Sequence, residues 1–311
     1  MRDATPSDDM MNDAVVCVWA VAAQLGEGPM YAADEHALWF VDIKGQRIHR
    51  YDERSGERRS WSTPEPVGFI LPATGGRFVC GMKSGLYSFD PGGRGARPGD
   101  DAPPGQFALI EPVETDRAHN RLNDGCVDRA GRLWFGTMDD AEHRASGALY
   151  RYDARGLRYC DGRYAITNGP AISPDGDTLY HVDTLGREIH AYDLHADGEL
   201  SGRRLFLRIE AGHGHPDGIA VDSLGHVWIA LHGGSRLLRY TPRARLVDAV
   251  HLPVSNCTKM AFGGDDLRSL YITSAWNGLS DAQRVREPLA GGLFRIRVEH
   301  PGLPQYEARL P

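Results

Sequence analysis

Six repeats of a four-strand unit predict an all-β protein, a six-bladed β-propeller with four-stranded blades. Three observations lead to this expectation. Aromatic anchors in apolar runs return at Trp39, Phe78, Trp134, Tyr180, Trp228 and Tyr271, at intervals of 39, 56, 46, 48 and 43 residues, about the length of a propeller blade. Glycine supplies 37 of 311 residues, above the usual share of ~7%, and sits in turn sequences such as PDG and TGG. No segment keeps an i, i+3, i+4, i+7 apolar pattern for long without Gly or Pro, which disfavours a doubly wound or helical fold.

The elements follow in order. Residues 1–14, MRDATPSDDMMNDA, are polar and acidic and are expected to be disordered, which leaves 15–311 as a single propeller domain. The apolar run VVCVWAV (15–21) precedes the first unit, so it is expected to complete the last blade and close the ring, leaving fewer exposed edges. The six units open with EGPMYAADEHALWFVD, VGFILPATGGRFVC, DGCVDRAGRLWFGT, NGPAISPDGDTLYHVD, DGIAVDSLGHVWIA and TKMAFGGDDLRSLYIT. Each is a polar or small residue, an apolar run, a turn rich in Asp and Gly, and a strand with its anchor. A third run with strand alternation comes next, as in RIHRYD, GLYSFD, ALYRYD, EIHAYD, LLRYT and GLFRIR, and then a less regular fourth. The stretch PGGRGARPGDDAPPG (91–105) reads as a flexible surface excursion, since its Pro and Gly cannot hold a ladder.

Composition narrows the function. Lys and Arg number 35 against 42 Asp and Glu, a net charge of −7, and no basic run interleaved with aromatics exists to track a phosphate backbone. Nucleic acid is therefore not expected as a partner. Five scattered cysteines, Cys17, Cys80, Cys126, Cys160 and Cys257, include no CxxC pair, which fits reduced thiols in a cytoplasm. Neither a signal peptide nor an apolar span of ~18 residues is readable. A soluble cytoplasmic monomer with no membrane partner is expected.

In a propeller the first strand of each blade is innermost, so the residues that open those strands face one central channel. By register they are Glu27, Val67, Asp124, Asn168, Asp217 and Thr258, lying 12, 11, 10, 12, 11 and 13 residues before their anchors. Singly, Asp and Asn before Gly are ordinary turn residues. Placed around one ring, four carboxylate or amide side chains converge and offer hard oxygen ligands to a divalent cation such as Ca²⁺, Mg²⁺ or Mn²⁺.

With LGEGP (25–29), RLNDGCVDRAGRLWFGTM (121–138), TNGPAISPDG (167–176) and HPDGIAVDSLGHVW (215–228) in this order, the sequence resembles the senescence-marker-protein-30, gluconolactonase and regucalcin family. The likeness runs from about residue 15 to the C-terminus. LWFVDIKGQRIH (38–49), GLSDAQ (278–283) and PLAGGLFRI (288–296) resemble its bacterial sugar-acid lactonases, the xylonolactonases and arabinonolactonases, more than its animal members. The resemblance implies one divalent metal ion (Ca, Zn, Mn, Mg or Fe(II)) held by Glu27, Asn168 and Asp217, with Arg121 and Asn123 binding the substrate. One position departs from the animal pattern: the substrate-contacting glutamate three residues after GTM is replaced by Ala141, flanked by Asp139, Asp140 and Glu142.

The expected activity is metal-dependent hydrolysis of a pentono- or hexonolactone to its aldonic acid. The metal is the Lewis acid on the lactone carbonyl and Asp217 the general base. Two alternatives stand beside it: a non-catalytic Ca²⁺-binding protein of the regucalcin kind, and a promiscuous esterase or phosphotriesterase on the same propeller. Other motifs are expected to be structural. His213 and His215 in GHGHP suit a solvent-facing loop, and HGGS (232–235) lacks the GxSxG elbow that a serine mechanism needs. Trp39, Trp134 and Trp228 are expected as core anchors. Trp276 is placed near the channel rim, and Lys83 and His232 are given surface or structural roles.

Overall fold

A computed structural model describes residues 14–92 and 105–311. The polar segment 1–13 and most of the Pro- and Gly-rich excursion, 93–104, lie outside the described residues. The chain begins with β1 (Val16–Trp19). The first blade follows as β2 (Gly26–Ala32), β3 (Ala37–Asp42), β4 (Arg47–Asp52) and β5 (Arg58–Ser62), and the second as β6 (Val67–Ala73), β7 (Arg77–Met82), β8 (Gly85–Asp90) and β9 (Gln106–Pro112). The third comprises β10 (Asn120–Val127), β11 (Leu133–Asp139), β12 (Gly147–Asp153) and β13 (Gly156–Tyr164). The fourth comprises β14 (Thr167–Ile172), β15 (Thr178–Asp183), β16 (Glu188–Leu194) and β17 (Leu200–Arg208). The fifth holds β18 (His215–Val221), β19 (Val227–His232), β20 (Arg236–Tyr240) and β21 (Leu246–His251), and the last β22 (Cys257–Gly263), β23 (Ser269–Ser274) and β24 (Leu293–Arg297).

The last blade takes its outer strand from the start of the chain: β1 pairs antiparallel with β24, giving the order β1-β24-β23-β22. All six sheets are thus four-stranded, as the repeat predicts. A short helix, α1 (Asp281–Arg286), interrupts the last blade behind a Ser280–Gln283 capping box. No helix among the described residues is long and apolar enough to cross a membrane.

The anchors explain why the units fold alike. Every one lies on the second strand of its blade and is buried, where a large ring packs between neighbouring sheets. Trp39 stacks on Trp61 at 5.2 Å and tilts onto Phe78 at 4.6 Å. In DRAGRLW, the Asp128 carboxylate accepts the turn amides of Ala130 and Arg132 and the indole N–H of Trp134. Asp222 repeats this in DSLGHVW with Leu224, His226 and Trp228. One carboxylate thereby satisfies the turn and fixes the ring behind it. Trp39, Trp134 and Trp228 are core residues, as expected.

Inner strands β2, β6, β10, β14, β18 and β22 neighbour one another around the axis in that order. Blades one and four, two and five, and three and six therefore face each other across the channel. On the rear face the tail after β24 runs across the ring. Gly302 bridges Asp222, Ala308 pairs with Ala73, and the Arg309 amide donates to the Gly131 carbonyl at 2.9 Å.

Candidate metal centre

The six ring positions occupy the inner strands as the register predicts, but they are not simply strand openings. In every inner strand the pairing with the second strand slips at or beside the ring residue: between Glu27 and Met30, Val67 and Phe69, Leu122 and Gly125, Asn168 and Ala171, Pro216 and Ile219, and Cys257 and Met260. A bulge re-aims a side chain that regular pleating would direct elsewhere. The residue after each ring position is Gly28, Gly68, Gly125, Gly169, Gly218 or Lys259. At Gly68 a Cβ would collide with the backbone carbonyl of Asn123 on the next inner strand, so the close approach of β6 and β10 requires glycine there.

Glu27, Asp124, Asn168 and Asp217 are all buried, at 4%, 1%, 2% and 7% exposure. Their surroundings differ. Asp124 is fully engaged: Oδ1 accepts the Gly125 amide at 2.7 Å and the Lys259 ammonium, and Oδ2 accepts the Gly169 amide at 3.0 Å. Among the described residues Glu27 accepts only the amide of Gly28, at 3.0 Å. No donor among the described residues reaches the Asp217 carboxylate. Burial, and then the charges of Glu27 and Asp124, hold the Asp217 carboxyl well above the usual carboxylate range. Glu27 is pushed up to about 8, chiefly by burial and next by Asp124.

Asn168 completes the arc. Its Nδ2 donates to Thr184 Oγ1 at 2.9 Å, which turns Oδ1 the other way, where Asn123 Nδ2 reaches it at 3.1 Å. The three oxygen donors come from blades one, four and five. No group of three His, Cys, Asp or Glu side chains converges among the described residues; the third donor here is an amide. Two buried acids whose proton affinity is raised, with an amide oxygen beside them, are donors of the type that a hard divalent cation takes.

Beside this arc, Arg121 and Asn123 are linked. Arg121 Nη1 donates to Asn123 Oδ1 at 2.5 Å, and Asn123 Nδ2 also donates to the Thr167 carbonyl at 2.6 Å. Asp140 accepts Arg121 Nε at 2.9 Å and Lys44 Nζ at 2.8 Å. Burial lowers the proton affinity of the Arg121 guanidinium, and Asp140 opposes this. Nη2 of Arg121 takes no partner among the described residues and is the donor left for a ligand.

The family profile described as "SMP-30/Gluconolactonase/LRE-like region" matches residues 25–276. The chain belongs to this family. A 6-deoxy-6-sulfogluconolactonase of Pseudomonas putida is 36% identical over 294 residues, covering 94% of this chain and 97% of the relative. Regucalcin of Gallus gallus is 33% identical over 307 residues, covering 96% and 99%. Among solved structures, a calcium-binding protein, regucalcin, from Agrobacterium tumefaciens superposes with a TM-score of 0.88 at 25% identity, covering 96% of this chain and 99% of that one.

In this SMP-30/gluconolactonase-family chain, the stretch after GTM divides its acids among different tasks. Asp139 caps the backbone amides of His143 and Arg144, and Asp140 holds Arg121. Glu142 is exposed, yet its charge acts on both Arg121 and Asp217. Of the neighbours of Ala141, Asp140 thus touches the centre through Arg121, and Glu142 acts on it through charge alone. A rim hollow is lined by Lys83, His119, His143 and Arg144 together with Asp139, Asp140 and Ala141; Lys83 contributes to this rim. His215 holds Arg187 and the Thr184 carbonyl, His213 is exposed, and burial lowers His232 to about 4. Trp276 packs under Arg284 and donates to the Ala22 carbonyl.

Sequence reasoning missed Lys259. A signal was available: in the aligned column after the ring residue, five units have glycine and the sixth has lysine. Behind the ring, a cavity of about 150 Å³ is lined by Lys259, Gly125, Pro170, Ile219 and Met260 and covered by the tail at Leu303–Tyr306. Its lining contains no carboxylate, so it offers nothing to a hard cation.

Proposed function

We propose that this protein is a metal-dependent lactonase that hydrolyses a sugar-derived aldonolactone to the aldonic acid. The observation that carries this reading is the pairing of a buried oxygen-donor arc (Glu27, Asn168, Asp217) with an adjacent cationic donor, Arg121 Nη2. An ion site alone has no use for that donor. The family and its sulfogluconolactonase relative support the same reaction class.

Glu27 Oε, Asn168 Oδ1 and Asp217 Oδ would hold the ion. When bound, a divalent cation supplies Lewis-acid polarisation of the lactone carbonyl. Three protein oxygens are fewer than the roughly six that such ions take, which leaves room for water and substrate oxygens. Asp217 is the general base: its carboxylate, which takes no hydrogen bond among the described residues, accepts a proton from the attacking water. Arg121 Nη2 binds a sugar or ring oxygen. Asn123 aligns both neighbours and keeps one Oδ1 lone pair for a sugar hydroxyl. Hydrogen bonds of this type select a hydroxyl pattern more sharply than apolar contacts do.

The test is acid release, followed with a pH indicator, on a panel of pentono- and hexonolactones that includes gluconolactone and its 6-sulfonate. Activity is expected to vanish after exhaustive chelation and to return with one divalent ion. Full turnover by protein shown metal-free by elemental analysis would sink the metal reading. Stoichiometric Ca²⁺ binding with no hydrolysis of any lactone would favour an ion-binding role of the regucalcin kind.

A further inference from the structure

The ring contains three buried carboxylates and one buried ammonium. Lys259 leaves β22 in blade six, passes over Gly218 of blade five, and ends on Asp124 of blade three, diametrically opposite. A Cβ at Gly218 would fall on the Cβ and Cγ of Lys259, so the glycine leaves the path for this side chain. Lys259 is 7% exposed. Its ammonium also lies 3.5 Å from the Gly125 carbonyl. Lys259 and Gly125 both line the rear cavity, whereas Glu27, Asn168 and Asp217 do not; the ion pair lies between that cavity and the donor arc.

We propose that Lys259 is a positioning residue that sets the charge of the metal site. By pairing with Asp124 it withdraws one of three ring carboxylates and leaves Glu27 and Asp217 as a doubly negative set matched to a divalent ion. The inference rests on the metal reading above. The charge count gives it content. With the pair intact, Glu27, Asp124, Asp217 and Lys259 sum to −2 when the acids are ionised. Without the ammonium, Asp124 becomes a third negative charge beside the same arc, and in a buried site such a charge acts strongly on a bound cation. With the ammonium alone, the arc faces an unneutralised like charge to its cation.

Calorimetric titration of chelator-stripped protein with Mn²⁺, Ca²⁺ and Tb³⁺ tests this on the parent, Lys259→Met, Asp124→Asn and the double variant. Lys259→Met should bind Mn²⁺ at least about tenfold more tightly and favour Tb³⁺ over Mn²⁺ by a further factor. Asp124→Asn should bind Mn²⁺ at least about tenfold more weakly. The double variant, which removes both charges together, should return to within about threefold of the parent. Removing one partner of a buried pair is strongly destabilising. If Lys259→Met does not fold, Asp124→Asn and the double variant still decide.

A lysine that merely fills the channel would leave ion affinity and the Tb³⁺ to Mn²⁺ ratio unchanged in every folded variant, and that result overturns the proposal. If the parent itself binds no divalent ion, the metal reading falls, and this proposal with it. Those two failures are distinguishable, because one appears in the parent and the other only in the variants.

Discussion

Asp124 and Asp217 hold equivalent places in two blades, each an Asp-Gly on an inner strand, yet they sit in opposite circumstances. Across the channel from Asp124 stands the last blade, which sends Lys259; across from Asp217 stands the second blade, whose ring residue is Val67. One carboxylate is saturated by two amides and an ammonium. The other has no protein donor among the described residues. The same dipeptide is an anchor on one diameter and, on another, a buried carboxylate that no donor among the described residues reaches, and the blade opposite decides which.

The sharpest way to break this comparison is Asp217→Asn, which retains an oxygen for the cation but removes the base. At saturating metal, with occupancy measured, kcat should fall by about 10²–10⁴-fold, the usual contribution of a positioned general base. Turnover within a few-fold of the parent would leave Asp217 as a ligand only. Arg121→Ala should come next, lowering kcat/KM by roughly 10–100-fold through loss of a charge-assisted hydrogen bond while the metal stays bound. Loss of stoichiometric metal in that variant would contradict the division between donor arc and substrate side.

A pH titration of the metal-free protein probes the arc directly. Glu27 binds its proton more tightly in the fold, with a pKa of about 8 against 4.5, and Asp217 shifts in the same direction. Between those values the folded state binds more protons than the unfolded chain, so stability falls as pH rises. The Tm of stripped protein should drop by several degrees from pH 5 to pH 8. Saturating metal should abolish most of that drop, since the cation replaces the proton. A metal-free Tm that is flat over this window would show that the two acids keep their ordinary proton affinities in the fold. The smallest effect is expected from Thr184→Val, which frees the Asn168 amide to rotate. One lost hydrogen bond of about 1 kcal/mol should weaken divalent-ion binding about fivefold, read by calorimetry.

The sequence made the ring legible because each blade repeats its own local chemistry. Turn glycines, the Asp that pins Trp134 or Trp228, and the spacing from ring residue to anchor all lie within about 16 residues in the chain. The closing strand was readable for the same reason: VCVW had no unit of its own. What stayed hidden depends on diameters. Lys259 and Asp124 are separated by 135 residues, and nothing in either unit names its opposite. Likewise Asp140 and Lys44, 96 residues apart, meet only once blades one and three are set at their angle. The bulges escaped too, since a slip of the pairing changes no residue type and is visible only against the partner strand.

The tail across the rear face has a consequence for how such a scaffold can diversify. It ties the turns of blades two, three, five and six: Ala308 to Ala73, Arg309 to Gly131, Gly302 to Asp222 and to Leu267. That girdle holds the circumference from behind, while the donor arc lies toward the opposite end of the inner strands. Loops around the mouth, including the one that runs from Asp139 to Ser146, have no part in the girdle. They can lengthen, shorten or change charge while the distances across the ring stay as they are. On the proposed function, taste for a particular sugar would thereby be uncoupled from the grip on the ion, and a new substrate could be acquired at the rim without rebuilding the hub.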